Sequence, residues 1–452
     1  MGEKGNPSAI TLKNAFAYGD MATRLSAVVM GAGCIARKQF IKGILFLLTE
    51  IIYIVYMVQT GAGAIASLPG LGDSEQEKVW NEAKQVYEYT AGDNSLVILL
   101  YGLIALFLTA GFILIWMAQM KQSFSLQVKL KNNEHIRRFA EDIRSLFHEN
   151  LHMTLMSLPV LGIITFSILP LVFMILMAFT NYSKEGNHLV LFDWVGLKNF
   201  GRVLNLGGNI GRQFWSVLAW TICWAILATA LNYVMGMILA MIINRKDTKG
   251  KGFWRFCFVL SVAVPQFVSL LIMRTMLQPQ GAINVILENL GWIDSPLPFF
   301  QNAAWARATV IIINLWVGIP YTLLQVTGIL QNIPGELYEA ARMDGAGPAT
   351  IFWKITLPYM LFVTTPYLIT QFTGNINNFN VIYLLSKGDT TSVGDTAGKT
   401  DLLVTWLYKL TVDQQYYNLG AVIGILTFVV LAIVALVTYR NTGSYKDEEA
   451  FM

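Results

Sequence analysis

Apolar residues gather along this chain into eight long runs, at 40–60, 96–118, 159–180, 215–243, 256–277, 305–330, 359–386 and 417–439. About 20 apolar residues let an α-helix cross the hydrocarbon core of a bilayer. No water is present there to satisfy backbone groups, so helices are the expected spanning elements. The pattern predicts an all-α integral membrane protein with about eight transmembrane helices. Two come first, over 40–118, joined by an acidic external segment around Asp73–Tyr89 that is expected to be helical. A charged cytoplasmic connector fills 119–158, and six spans with short loops occupy 159–439. Residues 1–39 are expected as a cytoplasmic N-terminal segment and 440–452 as a cytoplasmic tail.

Composition agrees: 55% of the 452 residues are hydrophobic and 13% are charged. The net charge of +4 matters less than its distribution. With the N-terminus inside, Lys and Arg number 21 on the cytoplasmic side and 9 outside, which predicts both termini inside. The basic segments are short and flank spans, so they read as orientation signals and not as a nucleic-acid surface. Cys34, Cys223 and Cys257 show no CxxC spacing and no disulfide framework. The first span is expected to act as an uncleaved anchor.

The spans hold almost no ionisable groups apart from Glu50 and, near the outer ends, Arg274 and Arg307. Proton- and sodium-coupled carriers generally need buried carboxylates. An ion-coupled secondary sugar carrier is therefore the weaker transport alternative, with Glu50 its one candidate; a pairing role for Glu50 is the simpler reading. Gly236-x-x-x-Ala240 and Gly420-x-x-x-Gly424 suit close helix packing.

Between the sixth and seventh runs, 331–358 reads as helix, hinge, helix. Asn332 is expected to cap the first helix, with Pro334 in its first turn. Small residues line one face, and Gly345 stops the helix, with Gly347 and Pro348 reinforcing the break. Glu339-Ala340-Ala341-x-x-Asp344-Gly345-Ala346, followed by Phe352, Ile355 and Leu357-Pro358, resembles the EAA loop of ABC importer permeases. The resemblance implies a six-helix type I permease core with two extra N-terminal helices. It also implies that Glu339, Ala340, Ala341, Asp344, Gly345 and Ala346 dock on an ATPase subunit. Leu260–Pro265, Asn314–Gly318, Asn375–Phe379 and Gly398–Leu403 extend the likeness to the larger permease of maltose and maltodextrin importers, over about residues 150–440. One departure is the short external segment 181–214, where enterobacterial members carry a folded domain.

The seventh run is dense in amides: Gln371, Asn375, Asn377, Asn378 and Asn380. At helical spacing Gln371, Asn375 and Asn378 share a stripe, flanked by Phe372 and Phe379. Asn314, Gly318, Tyr321 and Gln325 form a second stripe in the sixth run, where Gly318 is expected to leave room for a ligand. Amides both donate to and accept from hydroxyls, and rings cover the apolar faces of sugars. The alternative is that the amides only join helices. The family resemblance places sugar contacts at Asn314, Val317, Gly318, Asn375 and Asn378. Val262 and Gln266 match two further contact positions, a tyrosine and a serine in the enterobacterial protein, which leaves the sugar preference open.

His148-Glu149-Asn150-Leu151-His152 spells the HExxH zincin motif. It supplies a second class of function, a membrane zinc protease. A third protein ligand is needed, and the remaining histidines, His135 and His188, do not offer one convincingly. No phosphate-binding loop is present, since Gly207-Gly208 and Gly250-Lys251-Gly252 lack its context. The expectation is a non-enzymatic permease subunit for neutral oligosaccharides, first of all maltose and maltodextrins, in a bacterial cell membrane and in contact with its lipid. It carries no cofactor or metal of its own. The resemblance implies a second homologous permease, two ATP-binding subunits that hold ATP-Mg, and an extracytoplasmic sugar-binding protein.

Overall fold

A computed structural model describes residues 9–75, 77–82, 84–89, 92–245 and 247–440. The first eight residues and the expected tail beyond Arg440 lie outside them. Two compact units divide the chain at Gly196, one span beyond residue 159, where the six-span core was expected to begin.

In the first unit, three short helices, α1 (Leu12–Tyr18), α2 (Met21–Leu25) and α3 (Ala32–Ala36), precede α4 (Phe40–Tyr56). Thr11 and Asp20 cap α1 and α2 with their side chains. A π turn joins α4 to α5 (Ala62–Ser67), and the long α6 (Ser95–Lys131) returns beside them. The three short helices pack on α6, where Trp116 donates to the Ala27 carbonyl at 3.0 Å and Gln119 to that of Ser26 at 2.6 Å. Arg37 is buried and donates to both Asp20 carboxylate oxygens at 2.7 Å. The unit continues through α7 (Phe139–Leu146), α8 (Leu151–Ile163) and α9 (Leu169–Met177).

The segment after α5 differs from expectation. It forms a two-stranded hairpin, β1 (Lys78–Asn81) with β2 (Val86–Tyr89), instead of a helix. Trp80 pairs with Tyr87 across the strands, their rings 4.9 Å apart and edge-on. Such aromatic cross-strand pairs stabilise hairpins. The acidic composition masked a short run of β-favouring Val, Trp and Tyr.

Glu50 has a structural partner: its carboxylate accepts the Met30 amide at 2.8 Å. The next amide, of Gly31, donates to Gln119 on α6 at 3.4 Å. Glu50 therefore ties the N-terminal segment to the middle of α4, as the pairing reading expects.

The second unit runs through α10 (Lys198–Leu204), α11 (Asn209–Asn244), α12 (Lys251–Ala263), α13 (Gln266–Met276), α14 (Ala282–Asn289) and α15 (Ala303–Asn332). Then follow α16 (Gly335–Met343), α17 (Pro348–Ile351), α18 (Leu357–Ile376), α19 (Phe379–Leu385), α20 (Leu403–Tyr408) and α21 (Tyr417–Arg440). The α11–α15 pair forms its centre. A Cβ on Gly236 of α11 would lie 2.7 Å from Thr322 of α15, and one on Gly318 of α15 would lie 2.1 Å from Asn232 of α11. The two glycines let the backbones approach, as small residues do between membrane helices.

Six helices among the described residues are long and apolar enough to cross a membrane: Phe40–Ser67, Ser95–Lys131, Leu151–Met177, Asn209–Asn244, Ala303–Asn332 and Tyr417–Val437. The expected fifth span is α12 and α13 bent by 89° about Val264-Pro265. Pro265 has no N–H to continue the helical ladder, and it drives Val264 to an extended conformation. The expected seventh span falls short of the apolar criterion. Its core α18 carries Pro358, Pro366 and Gln371, and it ends at Ile376.

Candidate coupling loop and amide cluster

Two regions of the second unit carry the candidate chemistry. The first is the loop between α15 and α18. Asn332 is the last residue of α15 and not a cap; Ile333 is buried and extended, and Pro334 stands at the N-cap of α16. The α-helical ladder of α15 thus extends one residue farther than proline and asparagine propensities suggest. At its other end α16 closes as expected. The Ala346 amide donates to the Ala341 carbonyl at 2.9 Å and the Gly345 amide to that of Arg342 at 3.0 Å. This is a Schellman stop. Gly345 sits at φ +77°, in the left-handed region that favours glycine.

No residue of α16 is buried. Glu339, Ala340 and Asp344 are exposed, and so are the apolar Leu337 and Met343, the latter at 88%. Tyr338 anchors the helix, through a 3.2 Å contact between its hydroxyl and that of Thr356 and through packing against the buried cluster that Phe352 and Leu357 also border. Past the hinge, α17 passes through a π turn at Phe352–Thr356 into α18. An exposed helix is thus joined to a long one through the Gly345 stop and α17.

The second region is the amide cluster. Asn375 and Asn314 are 7% and 3% exposed. The Asn375 side-chain amide donates to the Thr229 hydroxyl at 3.0 Å, and the Asn375 backbone carbonyl accepts from the Trp224 indole at 3.2 Å, which joins α18 to α11. Asn378 donates to the Asn375 side chain at 3.4 Å, and its own oxygen caps α19 through the Val381 amide at 3.2 Å. The stripe from Gln371 through Asn378 is therefore not one helical face, because the helix ends at Ile376 and Asn378 lies in the break. Gln371 is exposed.

On α15, Gly318 leaves no room for a ligand: Asn232 of α11 fills the space beside it. Val317 is half-buried against the core around Trp220 and Trp224. The Asn314 amide nitrogen and the Asn232 amide oxygen are buried without partners among the described residues. Buried amide atoms left this way cost about 1–3 kcal/mol each. Val262 and Gln266 flank the Pro265 break. Two broken helices, α12–α13 and α18–α19, thus bring candidate residues to chain breaks, and α13 packs against α19. Asn232, Thr229 and Trp224 were not anticipated as members of the cluster. The signal for Asn232 was an amide isolated inside an apolar run.

The stretch Gly398–Leu403 has a structural role. Asp401 is buried, and its carboxylate receives the Gly398 amide at 2.7 Å, the Thr405 hydroxyl at 2.9 Å and the Lys409 ammonium at 2.7 Å. Burial pushes its carboxyl above the usual range, against the opposing pull of Lys409 and the other donors. Arg307 lies 4.5 Å over the Trp220 ring and donates to the Lys399 carbonyl at 2.9 Å, which holds the loop to α15.

The HExxH motif does not form one helical face. His148 and Glu149 lie in a turn, α8 begins at Leu151, and Glu149 pairs with Arg137 at 2.6 Å. No group of three or more possible metal ligands occurs among the described residues.

These features define a helical membrane protein with an exposed helix between two long ones. Residues 232–442 match the family described as the binding-protein-dependent transport system inner membrane component. The galactooligosaccharides transport system permease protein GanP of Bacillus subtilis is 36% identical over 428 residues, 94% of this chain and 98% of GanP. The maltodextrin transport system permease protein MalC of Streptococcus pneumoniae is 32% identical over 437 residues, 94% of this chain and 96% of MalC. A crystal structure of a bacterial ABC transporter involved in import of the acidic polysaccharide alginate shares the fold, with a TM-score of 0.52 at 22% identity over 67% of this chain and 98% of that one. The chain belongs to the binding-protein-dependent inner membrane permease family, and it is a permease of an ABC sugar importer. Its relatives are named as transport components and not as enzymes.

Proposed function

We propose that this chain is one of two related permeases enclosing the path of a neutral-oligosaccharide importer. In this reading two ATPase subunits dock on the cytoplasmic side, one of them on α16. An extracytoplasmic binding protein delivers sugar, and both termini are cytoplasmic. The observation that carries the reading is α16 itself: fully unburied, apolar at Leu337 and Met343, fixed at one end by Tyr338 and at the other by the Gly345 stop. Closure of the ATPases would move α16 and, through α17, rock α18 and its amides. The substrate class is supported by the uncharged donors Asn314, Asn375, Asn378 and Gln266, with Val262, Val317 and Gly318 as apolar or small neighbours. Relatives named for galactooligosaccharides and for maltodextrins support both sugars as candidates.

The test is uptake by the chain reconstituted with its partner subunits. Maltotriose and a galactotriose should compete with labelled substrate, and a uronate trimer should not. Uptake should persist when the proton gradient is collapsed and ATP maintained; uptake that stops with the gradient refutes ATP-driven import.

A further inference from the structure

The first unit contains a cavity of about 600 Å³, walled by the start of α4, Leu130 of α6 and the approach to α7. That volume lies in the range of small-ligand sites, about 300–1,000 Å³. Its basic residues are Arg37, Lys38, Lys42, Arg137 and Arg138, against one acid, Asp142. Three of these cations are already engaged: Arg37 with Asp20, Lys42 with Asp142 at 2.7 Å, and Arg137 with Glu149. Lys38 and Arg138 are exposed, and neither side chain forms an ion pair among the described residues; Glu141, which accepts the Arg138 backbone amide at 2.8 Å, is paired with His135. Gln39 is 9% exposed; its amide nitrogen donates to the Arg137 carbonyl at 2.8 Å, while its oxygen is buried without a donor. The cavity therefore offers free positive charge and one unused acceptor. It suits an anion that also carries a hydroxyl.

The surroundings narrow the ligand further. Phe40 and Ile41 belong to the same wall, and along α4 they continue into Ile44 and Leu45, all four about half exposed at 57%, 51%, 49% and 51%. These are the first turns of a helix apolar enough to cross a membrane. A charged pocket that opens onto such a face suits an amphiphile. We propose that the cavity seats the headgroup of an anionic phospholipid of the phosphoglycerol type. Lys38 and Arg138 hold the phosphate, Gln39 accepts from a headgroup hydroxyl, and the acyl chains lie along Phe40 to Leu45. Basic residues beside a membrane helix favour anionic lipid in this way.

The full-length chain, purified in detergent, would be exposed to phosphatidylglycerol, phosphatidylcholine or water-soluble glycerol 3-phosphate, and bound lipid counted by native mass spectrometry. Wild-type protein should retain phosphatidylglycerol about thirtyfold better than phosphatidylcholine, as two surface cations predict. The K38Q/R138Q variant should lose that preference while keeping its melting temperature, because both side chains are exposed and unpaired. Q39L, which removes the acceptor and no charge, should weaken phosphatidylglycerol alone. Equal retention of the two lipids, or an unchanged preference in K38Q/R138Q, overturns the proposal. So does displacement of the lipid by glycerol 3-phosphate at equal concentration, which would mark a site for a soluble phosphate.

Discussion

Gly345 offers a sharp test of how force passes through the coupling loop. It sits at φ +77°, and a Cβ placed there would meet nothing within 4 Å. Any cost of substitution is therefore conformational and not a clash. A side chain in the left-handed region costs about 1–2 kcal/mol, and more when β-branched. The chain can escape that strain only by giving up the two bonds that close α16, from the amides of Ala346 and Gly345. Each is worth about 1 kcal/mol, so the escape costs a similar amount. Gly345→Val should thus reduce the population of the docking geometry about 5–30-fold. Asparagine tolerates the left-handed region well, so Gly345→Asn should restore most of the coupling. Sugar-stimulated ATP hydrolysis by the reconstituted complex reads the effect, with co-purification of the subunits reporting assembly. If valine couples as well as glycine, or asparagine fails as badly as valine, the hinge is not what the positive φ serves.

Glu339→Lys should weaken association with the ATPase subunits, measured by co-purification, because it reverses an exposed charge on the docking helix without touching the fold. Asn375→Leu strands the Thr229 hydroxyl and the Asn378 amide, while the Trp224 bond to the backbone carbonyl is kept, so a loss of about 1–3 kcal/mol in thermal stability should accompany lost sugar uptake. Basal ATP hydrolysis should persist, and normal transport by this variant would leave the amides as helix joints alone. Lys409→Met leaves Asp401 buried without its cation, at a cost of about 3–5 kcal/mol. The carboxyl, already raised by burial, moves higher still. A folded-state pKa above the unfolded one gives stability that is complete below the unfolded value and lost as pH rises. The variant's melting temperature should therefore fall from acidic to neutral pH more steeply than that of the wild type.

Local signals were enough for much of this protein. The long apolar runs defined the spans, because a bilayer core admits hardly any other sequence. The loop at 331–358 declared its helix, stop and helix, because Gly345 and the prolines act within a few residues of themselves. Partnerships between distant residues were not legible. Nothing near Gly318 showed that Asn232, 86 positions earlier, fills the space beside it. The amides of Asn375 and Asn378 looked like one stripe until the end of α18 at Ile376 separated them. The motif His148 to His152 looked helical until the chain was seen to turn at Asn150. Periodicity reports which residues share a face only while the helix continues. Where it breaks, and which neighbour satisfies each buried polar group, is decided by packing across the tertiary structure.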